Sequence, residues 1–252
     1  MATVTPATAR RPRAYVRVRG VDAISFLDRM LSNDVPSEGS VDALLLTPKA
    51  RVIAPVLVWR RGPDDVLLLT EPDLGEVVRA HLTRMRFASK CEIELEQHSS
   101  TIVFDAVEGI PNRDYGRPAV ELLDATVEAS LGDDELERLR IEAMTPRFGR
   151  EIDDRVLPAE AGLDERAVSF SKGCYPGQEP VARQHYRGKV NRKLRLLELD
   201  GDAPAPETIV VHDGKDVGRI TSAVPGLALA YVRVSVPDDA VLDIDGRPAR
   251  LH

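Results

Sequence analysis

Polar and apolar positions alternate where the pattern first becomes regular: Tyr15, Arg17 and Arg19 interleave with Val16 and Val18, the period-two signature of a half-buried strand. The fold is therefore expected to start near residue 14, with residues 1–13, rich in Ala, Thr and Arg, as a disordered tail. Asp22 can cap a helix that carries Ile24, Leu27 and Leu31 on one face and ends before Pro36. Residues 41–47 and 52–59 are apolar runs split by Pro48, Lys49, Ala50 and Arg51, which predicts a strand pair. Pro55 lacks an N–H and assigns the second of them to an edge or a bulge. Residues 65–70 predict another strand, and 72–85 a helix with Leu74, Val77, Val78, Leu82 and Met85 inward. Cys91, Ile93 and Leu95 alternate with Glu92, Glu94 and Glu96, so this strand turns Cys91 inward as an inert thiol, and 101–107 form the next apolar run.

Gly, Pro and Asn in residues 108–118 predict a loop, followed by a short strand at 119–123. A helix should run from an Asp133 cap to about Ala143, closed by Pro146. From residue 189 the pattern changes to short strands at 194–199, 208–212, 217–221, 227–234 and 240–244, with turn signals at Asp213-Gly214 and Asp245-Gly246. This divides the chain into a mixed α/β region, 1–187, and a small antiparallel barrel, 188–252. The sequence shows no internal repeat and no low-complexity segment.

Composition narrows the class. The 252 residues are 43% hydrophobic and 30% charged, with 34 cations against 41 anions and a net charge of −7, the balance of an ordinary globular protein rather than a disordered, collagenous or coiled-coil chain. The longest apolar runs are about half the roughly 20 residues a spanning helix needs, so no membrane partner is expected. Only Cys91 and Cys174 carry thiols, far apart and without a secretory pattern, which implies no disulfide framework and a reducing cytoplasm. The five histidines show no zinc-ligand spacing, and no metal site is expected.

The candidate chemistry lies in Lys172-Gly173-Cys174-Tyr175-Pro176-Gly177-Gln178-Glu179-Pro180-Val181-Ala182-Arg183. Turn-forming residues surround Cys174 and place it on a loop where the backbone can approach a ligand. Lys172, two positions away, favours the thiolate, the form that acts as nucleophile or metal ligand. A tolerated loop cysteine without function is the plainer alternative. Residues 172–195 hold seven cations (Lys172, Arg183, Arg187, Lys189, Arg192, Lys193, Arg195) against Glu179 alone, which invites an anionic partner or forms a solvated face. Tyr175, His185 and Tyr186 could stack on bases, but the acidic chain argues against a nonspecific nucleic-acid binder.

The same twelve residues match the signature Lys-Gly-Cys-Tyr-x-Gly-Gln-Glu-x-Val-Ala-Arg, and through it the chain resembles the YgfZ family, folate-binding proteins of iron–sulfur cluster assembly related to the glycine-cleavage T-protein. The resemblance extends to Phe26-Leu27 with Asn33-Asp34-Val35, to Arg140-Ile141-Glu142-Ala143, to Gly149-Arg150-Glu151-Ile152 and to Pro158-Ala159-Glu160-Ala161-Gly162-Leu163. It covers essentially the whole chain, most weakly after residue 200. It implies an α+β fold, a T-protein-like ring of two ferredoxin-like α/β modules plus a C-terminal antiparallel β-barrel, with tetrahydrofolate or a derivative in the central channel. A pterin edge offers paired N–H donors that a carboxylate accepts side by side. The resemblance gives that role to Glu142, which without the family reads as a helix-surface residue paired with Arg138. Gln178 is a further folate-binding candidate, and Arg183 and Arg187 are candidates for the anionic glutamate tail.

One departure bears on activity. T-proteins carry Gly-Gly-x-x-Asp between the two strands near residue 50, and here the stretch reads Ala50-Arg51-Val52-Ile53-Ala54-Pro55. Neither Ala54 nor Pro55 can exchange a proton, so aminomethyltransferase activity is expected to be absent or very weak. The first reading is a monomeric accessory protein that binds folate, meets iron–sulfur client proteins and uses Cys174, assisted by Lys172, as its functional thiol. A second is a folate-dependent one-carbon transferase or demethylase whose acid–base group has moved to Asp34 or Glu179. A third, an RNA-binding module built on residues 172–195, predicts salt-steep binding.

Overall fold

The computed structural model describes residues 6–188 and 190–252, and the side chain of Arg187 lies outside that description. Strands β1 (Thr8–Arg10) and β2 (Ala14–Arg19) lead into helix α1 (Ala23–Met30), strands β3 (Gly39–Leu46), β4 (Val52–Gly62) and β5 (Asp65–Thr70), helix α2 (Gly75–Met85) and β6 (Glu92–Glu96). Next come β7 (Ser100–Phe104), β8 (Ile110–Asn112), β9 (Ala119–Leu123) and helices α3 (Asp133–Glu142), α4 (Leu163–Ala167) and α5 (Gln178–Arg187). Six strands complete the chain: β10 (Arg192–Leu199), β11 (Ile209–His212), β12 (Lys215–Val224), β13 (Leu227–Arg233), β14 (Val241–Ile244) and β15 (Arg247–Leu251).

The first sheet is antiparallel with the order β3-β4-β5-β2-β6. Helices α1 and α2 cover one face, where Phe26, Leu27, Val78 and Leu82 bury against Val16, Val18, Leu45 and Leu68. Each such side chain contributes about 1.5–3 kcal/mol on burial. The other face is also covered. Tyr15, Leu67 and Leu69 meet Ile110 of the second sheet, while Leu44, Leu46 and Val52 join a cluster with Ile141, Tyr175, Leu194 and Tyr231 that reaches the barrel. A sheet buried on both sides needs continuous apolar runs, which is why β3–β5 do not alternate cleanly. The second sheet, β1-β7-β9-β8, packs Ile102 and Phe104 against Leu136 of α3. The last six strands close into a barrel of order β10-β13-β12-β11-β14-β15 around its own core. The architecture is the expected α+β arrangement of α/β modules and a C-terminal barrel.

Several elements differ from expectation for identifiable reasons. The ordered chain starts before residue 14, because Thr8–Arg10 pairs antiparallel with β7 and the arginines that resembled a tail, Arg11 and Arg13, are buried ion-pair partners. Strand β4 lies inside its sheet rather than at an edge. Its pairing with β5 begins only at Leu57, so at Pro55 the strand has a single ladder neighbour, Leu44 of β3, and the missing N–H leaves no bond unmade. Residues 72–74 form a 3-10 turn before α2, and Val77 faces outward while Val78 and Leu82 are buried. Asp22 does not cap α1 through its side chain. Its carboxylate accepts the Lys90 N–H at 2.7 Å and ties the helix start to the approach of β6. The region 108–118 contains β8, and β15 was not anticipated as a sixth barrel strand.

Candidate functional site

Residues 168–177 connect α4 to α5 without regular structure, and Cys174 is exposed on this loop, as expected. Three anchors hold it. Tyr175 turns inward and is buried in one cluster with Leu46, Ala50 and Val52, at the turn between β3 and β4. Lys172 Nζ donates to the carbonyl oxygens of Leu31 (3.0 Å) and Asn33 (2.6 Å), and burial lowers its pKa. Gly177 adopts φ 85°, and a Cβ there would stand 2.6 Å from the Thr47 carbonyl oxygen, so the close approach of loop and hairpin requires glycine. The ammonium of Lys172 is thus spent on backbone carbonyls, where it fixes the loop that presents the thiol. Cys91, by contrast, is buried, and burial raises its pKa.

Three cavities, neighbours through the wall residues they share, make up a passage. The outer chamber, about 750 Å³, is lined from several elements, among them Arg113, Thr145, Asp164, His185, Lys193 and Arg195. It shares Arg113, Thr145, Pro146, Leu163 and Arg166 with a crevice of about 60 Å³. The crevice in turn shares Arg11, Glu71 and Arg147 with a third cavity of about 570 Å³, which has no wall residue in common with the outer chamber.

Buried ion pairs form the crevice walls. Arg166 donates to Asp42 (2.7 Å) and Asp114 (2.6 Å), Arg13 to Glu121 (2.9 Å), and Arg11 pairs with Glu71 (2.7 Å). Burial pushes the Asp114 carboxyl upward, but the guanidinium groups of Arg13 and Arg166 outweigh it and hold the pKa at about 2. Asp114 is therefore an anion at neutral pH. Behind this wall the fully buried Glu151 accepts from Arg140 (3.0 Å) and from the Ser222 hydroxyl (2.6 Å), while Tyr231 donates to its backbone carbonyl (2.8 Å). These contacts join α3 to the barrel and fix the passage between them. Pro55, one of the two residues where the resemblance expected the T-protein aspartate, lines the crevice and brings no proton.

The residues expected from sequence are dispersed. Glu142 ends α3 with its carboxylate 3.0 Å from Arg138, both side chains nearly half exposed, and it is absent from the linings of the three cavities. Gln178 opens α5, and Arg183 is exposed 3.4 Å from Glu179; neither lines the passage. Arg187 lies outside the described side chains. Asp34 and Glu179 are exposed and also absent from these linings. From the basic block, Lys193 and Arg195 reach the outer chamber, together with His185. Asp42, Asp114 and Asp164 were not singled out by sequence, since isolated carboxylates carry no local pattern. Among the described residues no helix is long and apolar enough to cross a membrane.

The model for the CAF17, C-terminal beta-barrel domain matches residues 191–252, which is the six-stranded barrel. The iron–sulfur cluster assembly factor IBA57, mitochondrial, of Mus musculus is 25% identical across 88% of this chain and 75% of its own length. An aminomethyltransferase of Moorella thermoacetica is 24% identical across 93% of this chain and 81% of its own. The crystal structure of glycine cleavage system aminomethyltransferase T from Bartonella henselae superposes with a TM-score of 0.84 at 17% identity, covering 98% of this chain and 85% of that one. The C-terminal quarter of the chain thus matches the CAF17 barrel domain, and the chain as a whole is similar to an iron–sulfur cluster assembly factor and to aminomethyltransferases. The matched barrel supplies Lys193 and Arg195 to the outer chamber, and the residue 172–183 signature forms the clamped thiol loop and the start of α5.

Proposed function

We propose that the protein is a tetrahydrofolate-binding accessory factor in the assembly, maturation or repair of iron–sulfur proteins, with Cys174 as its functional thiol. The observation that carries this reading is an exposed cysteine on a loop clamped to the core, in a chain similar both to an iron–sulfur cluster assembly factor and to aminomethyltransferases. A single thiol cannot hold a cluster, which takes about four protein ligands. Cys174 therefore acts on a cluster or thiol belonging to a client protein.

The outer chamber fits a folate. Its volume of about 750 Å³ falls within the range of roughly 300–1,000 Å³ common to small-molecule sites. Asp164, 15% exposed, accepts no hydrogen bond among the described residues, and His185 Nδ1 stands 3.7 Å away. Of the two chamber carboxylates without a hydrogen bond among the described residues, Asp164 and Glu165, Asp164 is the more buried and is the one we assign to the donor edge of a pterin. Arg113, Lys193 and Arg195 offer positive charge to a glutamate tail, and His185 is stacked on Phe170 at 3.9 Å, which stiffens the chamber wall. The crevice is too small for a pterin, so the ring stops at Arg166. When bound, tetrahydrofolate supplies a carrier of one-carbon units, and the residues of this chain bind and orient it. Aminomethyl transfer is not part of this reading, because neither Ala54 nor Pro55 has a proton to give and Asp114, at about 2, does not donate one at neutral pH.

Calorimetric titration with tetrahydrofolate tests the assignment. The wild type should bind, Asp164→Asn should bind about tenfold or more weakly, as expected for a lost charge-assisted hydrogen bond, and Glu142→Ala should match the wild type. No uptake by the wild type overturns the folate reading. A loss confined to Glu142→Ala moves the pterin to the end of α3.

A further inference from the structure

The far side of the passage carries hydrogen-bond donors that the chain itself leaves unused. Arg11 Nε, Arg147 Nε and the Tyr115 hydroxyl are buried without a hydrogen-bond partner among the described residues. All three residues line the 60 Å³ crevice, and Arg11 and Tyr115 are only 8% and 3% exposed. An unsatisfied buried donor costs about 1–3 kcal/mol, and native structures hold few of them. Three on one wall indicate the place of a ligand.

Charge and size say which kind. Six arginines line the crevice against three carboxylates, Asp42, Glu71 and Asp114. Those carboxylates are already engaged: Glu71 accepts both terminal nitrogens of Arg11 (3.1 and 2.7 Å), and Arg166 bridges the other two. Glu137 takes one terminal nitrogen of Arg147 at 3.1 Å and leaves its Nε free. Burial, and then the like charge of Arg11, lowers the pKa of Arg147, a repulsion that an anion between the two would relieve. Burial pushes Tyr115 up to about 12, so its hydroxyl remains a donor at neutral pH. At about 10–15 Å³ for one water, the crevice has room for roughly four, the size of a group of three to five heavy atoms.

We propose that the Arg11, Tyr115 and Arg147 wall of the crevice is a binding site for a carboxylate or a similarly small oxyanion, entered from the 570 Å³ cavity. The site does not depend on folate binding. The anion is either a free small acid or the carboxylate end of a longer molecule lying in the third cavity, where Arg10 and Arg150 line the wall.

The test uses the full chain without folate, in a buffer free of chloride and of other carboxylates, titrated with acetate and separately with glutarate. Saturable binding is expected, weakened about fivefold or more in both Tyr115→Phe and Arg147→Gln, the loss of about one hydrogen bond. Thermal unfolding without ligand serves as the folding control, and Tyr115→Phe should melt no lower than the wild type, because the hydroxyl it removes is unpaired. Glutarate binding about tenfold tighter than acetate assigns the site to the end of a longer molecule, and equal binding assigns it to a free acid. No binding of either acid by the wild type, or variants that bind as well as the wild type, overturns the proposal. Neither result touches the folate reading, whose chamber is walled by none of Arg11, Tyr115 and Arg147.

Discussion

The central crevice and the loop that carries Cys174 are held in place in opposite ways. In the crevice the side chains are pinned: Arg13 to Glu121, Arg166 to Asp42 and Asp114, and Arg11 to Glu71, each partner coming from a distant segment. On the loop the backbone is pinned, by Lys172 on two carbonyls and by Gly177 against Thr47, while the Cys174 thiol stays exposed. Charges taken from water need partners that satisfy them, and those partners make the crevice rigid and costly to disturb. In the proposed function the thiol must reach a client, and for that it needs only a firm base and open space. Stability should therefore depend on the crevice and activity on the loop.

That contrast is broken most severely at the crevice. Arg13→Ala leaves Glu121, fully buried, without its charged partner, and urea unfolding at neutral pH should show a loss of about 3–5 kcal/mol. A loss below about 1 kcal/mol would mean that the pairs do not hold the modules together. Gly177→Ala should cost about 2–3 kcal/mol through a strained positive φ and a clash with Thr47. It should also change the rate at which a thiol reagent modifies Cys174, which a mutation on the exposed face of α5 would not do.

The pH dependence is smaller and has a fixed sign. Asp114 titrates at about 2 in the folded protein, below its unfolded value of about 3.9, so its contribution is full above that value and is lost as the pH falls from about 4 towards 2. The amount is about 2 kcal/mol, and Asp114→Asn should flatten this acid limb in pH-dependent denaturation. Identical limbs in both proteins would contradict the arginine cage. At the lower end, Cys174→Ser should change stability by no more than about 0.5 kcal/mol, since the side chain is exposed.

The loop was legible in the sequence because its chemistry is local. Gly173, Gly177 and Pro176 announce an irregular backbone around Cys174 within a few positions, and alternation in 14–19 or 91–95 announces strands for the same reason. The barrel was legible through its turn residues, although β15, ending at Leu251, carries too few apolar positions to stand out. The crevice was not legible. Asp42, Asp114 and Arg166 meet only because β3, the segment after β8, and α4 come together in the fold, and Arg11 and Arg13 looked like the composition of a tail. For Glu142 the resemblance and the structure diverge: its place in Arg140-Ile141-Glu142-Ala143 suggested a ligand contact, and the structure sets its side chain on the surface beside Arg138, which is why Glu142→Ala is part of the folate titration.

The account stands most directly on the thiol. In cells lacking the protein, restored with either the wild type or Cys174→Ser at matched expression, the activities of iron–sulfur enzymes should recover with the first and remain at the deletion level with the second, while the purified variant unfolds at the wild-type temperature. Full recovery with Cys174→Ser would contradict it.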